Sequence, residues 1–443
     1  MFQRTIGIDL AIRGDHVAQI FDHGQPVGTP IRFRLTPQSL RSFLDKVRAG
    51  LPDGAQVQAV LEPTGMAWFP VAFWLMRAGI GVIRVKGQRV KALRRYLSEY
   101  AKTDPSDAYV LGAIANFGGP TLEPVFVPGP EQHTLRRLTK QRERYQDGLC
   151  ASKRRLLDLI RWACPALEAV LPDLRTRLSW AVLSQYFDPR RVLATKPGSL
   201  IRFIARHAAG NQPRRGPFVE DLAGHLRAAA HETLALVGEA VDFSALQCEV
   251  GQEIAQLELL DQHIGELSSR IDELYTRLHP SDALRTIPGI GTQLAPVLFA
   301  LLHTPQHFRN ERQVRGFCGL FPKRRASGGV ERPGQKVTKS GHDRLKRALY
   351  LAADAARRVD PGLAEVYWRL MVHKGHHHKQ ALCAVATRLI NRICAVFRTG
   401  RAYELRDPEG RSISVTEGRQ IIAARFTVPE DIRRCRRQQR AAA

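Results

Sequence analysis

The sequence predicts an α/β chain, with a mixed sheet and flanking helices at its N-terminal end and mainly helices beyond. Short apolar runs at residues 6–10, 17–21, 31–35, 57–61 and 81–85 have strand length and are separated by turn residues. From residue 36 onward the runs alternate with helical patterns, which suits a mixed sheet covered on its faces. Two later segments repeat leucine at heptad spacing.

The first run, Thr5 to Ala11, carries Asp9 and reads as a buried strand. A turn near Arg13-Gly14-Asp15 leads to the second strand, and residues 31–35 alternate weakly like a third. Thr36-Pro37 opens a helix through Val47, since proline is tolerated at a helix start. The fourth run, Val57 to Leu61, ends in Glu62 just before Pro63-Thr64-Gly65. Residues 68–78 carry an apolar helical stripe, and 81–85 form a short strand. Lys86, Arg89, Lys91, Arg94 and Arg95 then make a basic patch, either a solvated surface or a phosphate-holding one. Next comes Lys102-Thr103-Asp104-Pro105-Ser106-Asp107-Ala108, followed by an apolar helical run to Ala115 and a Gly/Pro-rich linker over 116–130.

Asp104 and Asp107 admit two roles. As a cap, Asp104 is the N-cap, Pro105 the first helical residue and Asp107 the acid at N3. As a site, both carboxylates project from one helix face toward a metal. The second role needs partners. Asp9 is costly in a buried strand unless paired or metal-bound, by several kcal/mol. Glu62 lies beside it if the two strands are parallel neighbours. Acids clustered without cations repel one another, so divalent metal is the natural occupant. Two Mg²⁺ ions bridged by Asp9, Glu62, Asp104 and Asp107 suit phosphodiester chemistry.

The 443 residues carry a formal charge of +25, and 44% are hydrophobic. Length points to roughly two to four domains. The positive excess points to a polyanion, nucleic acid before membrane. No apolar run of transmembrane length and no export leader is read from the sequence, which points to a cytosolic, cytoplasmic chain. The seven cysteines form no C-x-x-C pair and read as reduced thiols.

The chain divides into residues 1–128, a helical and coiled-coil region over 129–280, a module over 281–400 and a basic tail over 401–443. Leu135, Leu138, Tyr145, Leu149, Leu156 and Leu159 form one seam, interrupted by Arg142 and Ser152. Leu257, Leu260, Ile264, Leu267, Ile271, Leu274 and Leu278 form a cleaner one. They pair as a coiled coil within one chain or between two, or belong to a helical bundle. Leu284 to Ala295, with Pro288-Gly289-Ile290-Gly291, has the pattern of a helix-hairpin-helix, or of a plain packing corner. Ser327 follows Lys323, Arg324, Arg325 and Ala326 and precedes Gly328-Gly329. It is either a hairpin turn in a basic surface or a nucleophile whose phosphorane the cations stabilise. Lys336, Lys339, Arg344, Lys346 and Arg347 extend the basic character; His373 and His376-His377-His378 read as structural, and the tail around Arg433-Arg434-Cys435-Arg436-Arg437 as mobile.

Taken in order, Ile8-Asp9, Leu61-Glu62-Pro63-Thr64-Gly65, Lys102 to Ala108, Pro288 to Gly291 and Ser327-Gly328-Gly329 resemble the insertion-sequence-110 family of transposases, the DEDD transposases. The resemblance covers most of residues 1–400. It implies a RuvC-like, RNase H-like N-terminal domain and a mainly helical second transposase domain. Asp9, Glu62, Asp104 and Asp107 match the acidic tetrad that binds Mg²⁺, and Ser327 matches the serine nucleophile. The family's Lys-x-Gly-Asn stands here as Lys339-Ser340-Gly341-His342. The resemblance further implies excision and insertion of the chain's own element, guided by a bridge RNA that pairs with donor and target DNA. It implies a 5′-phosphoserine intermediate and a homo-oligomer, a dimer assembling to a tetramer. The rival reading is a Mg²⁺-dependent nuclease like a Holliday-junction resolvase, which leaves Ser327 idle; a non-catalytic nucleic-acid binder explains only charge and coiled coil.

Overall fold

The computed structural model describes all residues except 1–2, 64, 86, 98–102, 119–124, 126, 209–215, 303–307, 309, 322–325, 332–336, 339–340 and 442–443. The chain divides into two compact units, Met1–Pro128 and Gly129–Ala443.

The first unit is a five-stranded mixed sheet with helices on both faces. In chain order it contains β1 (Gln3–Asp9), β2 (His16–Asp22), β3 (Gln25–Phe33), α1 (Pro37–Arg48), β4 (Gln56–Leu61), α2 (Trp68–Arg77), β5 (Gly81–Arg84), α3 (Gly87–Leu97) and α4 (Asp104–Gly118). The strand order is β3-β2-β1-β4-β5. The first three strands pair antiparallel, whereas β4 and β5 join parallel. A parallel pair needs a crossover, and α1 and α2 supply these. β3 starts at Gln25 and stops at Phe33, earlier at both ends than its weak alternation indicates.

Strand alternation sorts the core into two layers. Ile6 and Ile8 of the first strand and Leu10 just beyond it pack with Leu40, Phe43, Val71 and Leu75 of α1 and α2. Val60, Ile83 and Val85 point the other way and pack with Val90, Val110, Leu111 and Ile114 of α3 and α4. The basic segment after residue 86 is thus a packed helix, anchored by Val90, which the density of arginine and lysine hides in the sequence.

The second unit contains α5 (Pro130–Ala163), α6 (Ala166–Val170), α7 (Arg177–Tyr186), α8 (Pro189–Ala194), α9 (Pro197–Ala208), α10 (Pro217–Val237), α11 (Phe243–Leu278), a 3₁₀ turn (Ala283–Thr286), α12 (Ala295–Leu302), α13 (Glu311–Cys318), β6 (Ala326–Ser327), β7 (Val330–Glu331), α14 (Asp343–Ala356), α15 (Pro361–Val372), α16 (His378–Thr399), α17 (Val415–Arg425) and α18 (Glu430–Ala441). The heptad helices α5 and α11 pack antiparallel within the chain. Glu131 meets Arg277, Tyr145 meets His263, and Arg155 meets Glu253, so one register runs along their length. The two polar interruptions are buried and bonded: Arg142 donates to the Gln293 carbonyl at 2.9 Å, and Ser152 donates to Gln256 Oε1 at 3.2 Å. Helices α6 to α10 form a separate apolar core against this pair.

The remaining helices share a core with the far ends of α5 and α11. Helix α16 is long and apolar enough to cross a membrane by length and composition, yet half of that stretch is buried in this core. The expectation of a mobile tail is corrected. Phe426 and Val428 are buried, Trp368 packs edge-on against Phe426, and Ile432 sits against the core. Asp360, itself paired with Arg392 of α16, ties the start of the segment down by accepting from Tyr403 Oη at 2.8 Å. Apolar residues spaced among the arginines fix α17 and α18 where net charge alone argues for solvation.

Candidate functional site

Two glycines set the position of the acids. A Cβ at Gly7 of β1 would run into Ala108 O and the backbone of Gly112, and a Cβ at Gly112 would strike the Phe21 ring. Helix α4 therefore crosses the sheet at backbone contact, which only glycine permits. Asp9 lies two residues beyond Gly7 and shares its face. Glu62 lies two residues beyond Val60, which also faces α3 and α4. The parallel register pairs Ile8 with Leu61, so the next residues, Asp9 and Glu62, leave the sheet level with each other. On α4, Asp107 continues the buried stripe of Val110, Leu111 and Ile114 toward the sheet. Asp104 is one turn earlier and exposed.

The cap is not what the sequence indicates. Thr103, rather than Asp104, stands at the N-cap. Its Oγ1 accepts from Ser106 N at 3.3 Å, while Ser106 Oγ accepts from Thr103 N at 3.0 Å. This reciprocal pair satisfies the helix start without either carboxylate. Asp104 and Asp107 are thereby displaced by one position from the capping frame, and Asp107 turns inward at 6% exposure.

Buried Asp107 has a cationic neighbour. Arg94 Nε of α3 lies 2.6 Å from Asp107 Oδ1, and both side chains are mostly shielded. The basic patch thus contributes one arginine to the acids, while Arg89, Lys91 and Arg95 stay exposed. The Glu62 carboxylate rests against Gly87 at the start of α3, where a Cβ would collide with it. A helix N-terminus favours an anion there. His16, buried beside the end of β1, has its pKa pushed down by burial, and its neutral Nδ1 accepts from Ala11 N at 3.1 Å. That bond fixes the turn that follows Asp9.

The donors are all carboxylate oxygens, the chemistry a hard divalent cation takes. Among the described residues, no three His, Cys, Asp or Glu side chains converge as a ligand group. The elements thus bring Asp9, Glu62 and Asp107 to one face and one end of the sheet, with Asp107 engaged by Arg94.

Ser327 belongs to the other unit. It sits in the β6–β7 hairpin, where Ala326 pairs with Glu331 and Ser327 with Val330. Gly328 and Gly329 take φ of +59° and +79°, the backbone of a two-residue hairpin turn. Ser327 is exposed. Lys323, Arg324, Arg325, Lys336, Lys339 and Ser340 lie outside the described residues. Gly289 packs closely on α14: a Cβ there would run into Ala352 O and Ala356 N, the mark of a packing corner. Arg344 pairs with Glu143, Arg347 with Asp147 and Lys346 with Asp343, so these cations are spent on internal links. His377 caps α16, and His378 Nδ1 lies 2.7 Å from Tyr367 Oη, in keeping with a structural role.

Two family models match the chain. The model described as Transposase IS116/IS110/IS902 family covers residues 281–368, and the DEDD model of the IS110 type, described as Transposase, covers residues 6–165. The chain is 25% identical over 411 residues to a 43.6 kDa protein of insertion element IS110 from Streptomyces coelicolor, covering 91% of this chain and 96% of the relative. It is 24% identical to a 44.8 kDa protein of insertion element IS116 from Streptomyces clavuligerus, over 79% of this chain and 84% of that one. A pilin gene-inverting protein of Moraxella bovis is 27% identical over 147 residues, 33% of this chain and 45% of the relative. With an RNase H-like mixed sheet over residues 3–84 and family matches over residues 6–165 and 281–368, the chain belongs to the IS116/IS110/IS902 family of transposases, enzymes that recombine DNA.

Proposed function

We propose that the chain excises and inserts its own insertion element, with Asp9, Glu62, Asp104 and Asp107 holding Mg²⁺ and Ser327 acting as the nucleophile. The observation that carries this is the cap. Thr103 and Ser106 satisfy the start of α4, so neither aspartate is needed there, yet Asp107 is buried on the face that Asp9 and Glu62 share. A buried carboxylate without a capping role is costly unless a cation meets it. Arg94 meets it in this structure, and Asp107 must turn from Arg94 to join the other acids.

Mg²⁺ held there would activate an attacking oxygen and stabilise a leaving one. The chain's own residues do the rest. Arg89, Lys91 and Arg95 on the exposed side of α3 hold phosphates of the incoming strand. Ser327 Oγ attacks a phosphodiester; the Oγ–P bond forms, the P–O3′ bond breaks, the serine proton leaves and the departing O3′ takes one up. The product is a 5′-phosphoserine and a free 3′-hydroxyl. In the reverse sense, the exchanged strand's 3′-hydroxyl attacks phosphorus and frees the serine. A bridge RNA selects donor and target DNA, the working particle is a homo-oligomer, and the site of action is the bacterial cytoplasm at the nucleoid. The basic charge and the family support this reading.

The test is covalent capture. Wild type, Ser327→Ala and Asp107→Asn are incubated with element-end DNA, co-purified RNA and Mg²⁺, then denatured. Wild type yields DNA-linked protein with the link mapped to Ser327, and neither variant does. Metal-dependent cleavage by Ser327→Ala at the wild-type rate, with no adduct in any protein, moves the answer to a resolvase-like nuclease.

A further inference from the structure

The strongest unassigned feature lies in the second unit, between the ends of α15, α16 and α18. A cleft of about 600 Å³ opens there, lined by Arg357, Lys379, Arg433, Arg436 and Arg437 together with Tyr367 and His378. Among the described residues, its lining includes no aspartate or glutamate. Arg357 has a carboxylate nearby, Asp354 at 2.7 Å, and its guanidinium also lies over the Tyr367 ring at 4.2 Å.

The cleft is built rather than incidental. Arg436 Nε donates to the Met371 carbonyl at 3.4 Å, tying α18 to the end of α15. Tyr367, buried at its floor, hydrogen-bonds His378. His377 caps α16 with its own side chain and that of Gln380, and the first turn of this 22-residue helix faces the cleft through His378 and Lys379. Cations lining one cleft repel one another and gain from a bound polyanion. An elongated anion with repeating charge reaches cations spread along a cleft of this size, where a single small anion meets those on one side.

We infer that this cleft binds the phosphodiester backbone of nucleic acid, independently of base sequence. The inference rests on the chain acting on nucleic acid, not on which acids or serine perform the chemistry. Its failure is read by binding alone, whereas failure of the catalytic assignment is read by adduct formation.

The experiment uses the full chain and fluorescein-labelled probes, a duplex DNA and a single-stranded RNA of unrelated sequence. Lys379→Gln, Arg433→Gln and Arg437→Gln are combined; Arg436 and Arg357 are kept because they hold the cleft together. The control removes the same charge from exposed sites on α5 and α11, as Arg144→Gln, Arg154→Gln and Arg270→Gln. The cleft variant weakens binding at least tenfold at low salt and lowers the slope of log affinity against log salt by about one for each phosphate no longer neutralised. Weaker binding of one probe only assigns the cleft to that nucleic acid, and weaker binding of both assigns it to the backbone in general. Unchanged affinity and slope with both probes, or an equal weakening in the control, overturns the inference. If circular dichroism shows the combined variant unfolded, Lys379→Gln alone is read, with a slope lower by about one expected and an unchanged slope counting against the cleft.

Discussion

The acids of the first unit and the serine of the second are held in opposite ways. Asp9 and Glu62 leave buried neighbouring strands in register, and Asp107 is clamped by a helix touching β1 backbone to backbone. Ser327 sits exposed in a hairpin of two-residue strands, beside two glycines with open space around them. Asp9, Glu62 and Asp107 are positioned by packed elements, while the serine is presented in a short exposed hairpin. On the proposed reading, the acids gain from being held by packed elements and the serine, which would form and release a covalent bond, gains from reach.

This contrast can be broken at several points. The largest effect is expected from Asp9→Asn or Asp107→Asn, each abolishing recombination with the fold intact by circular dichroism; a folded Asp107→Asn protein with full recombination would remove the tetrad assignment. Next come the glycines. Gly7→Val drives a side chain into the backbone of α4 and should cost about 3 kcal/mol or more, seen as loss of soluble first unit or a large fall in melting temperature. Gly328→Ala meets only the strain of positive φ, about 1 kcal/mol, and leaves the melting temperature nearly unchanged. Equal costs at the two glycines would mean that the two sites are equally rigid.

Arg94→Gln sharpens the electrostatic side. Removing one partner of a shielded ion pair costs roughly 3 kcal/mol, because Asp107 is left as an uncompensated charge. Divalent cation should return part of that stability, so the variant's melting temperature rises more with Mn²⁺ than the wild type's. A melting temperature that ignores Mn²⁺ in both proteins would separate Asp107 from metal binding. The smallest effect concerns the thiols. Burial pushes the Cys164 and Cys318 thiols up to about 12, so at pH 8 they stay protonated. Alkylation should label the exposed Cys150, Cys248 and Cys435 first, and fast labelling of Cys318 would show that the C-terminal core opens.

Much of the first unit is legible in its residues. Apolar runs of strand length mark the five strands, with Asp9 and Glu62 at the ends of two of them. The capping frame is not legible, because Thr103 and Asp104 are both good N-caps and only the backbone decides between adjacent positions. The helix over Gly87–Leu97 is hidden because one buried valine among arginines leaves little apolar periodicity. In the second unit the seam Leu257 to Leu278 marks a long helix. Its pairing within the chain rather than with another depends on contacts more than a hundred residues apart, such as Ser152 with Gln256.

The sequence by itself determined which residues carry charge, where most strands and the long helices run, and the family to which their order points. Chemistry and periodicity are local properties, and the chain spells them directly. Tertiary structure alone decided that Arg94 meets Asp107, that Gly7 and Gly112 bring α4 onto the sheet, and that a tail dense in arginine folds back to enclose a cationic cleft. Those outcomes depend on which distant surfaces fit together, and the energy of that fit belongs to pairs of segments rather than to either one.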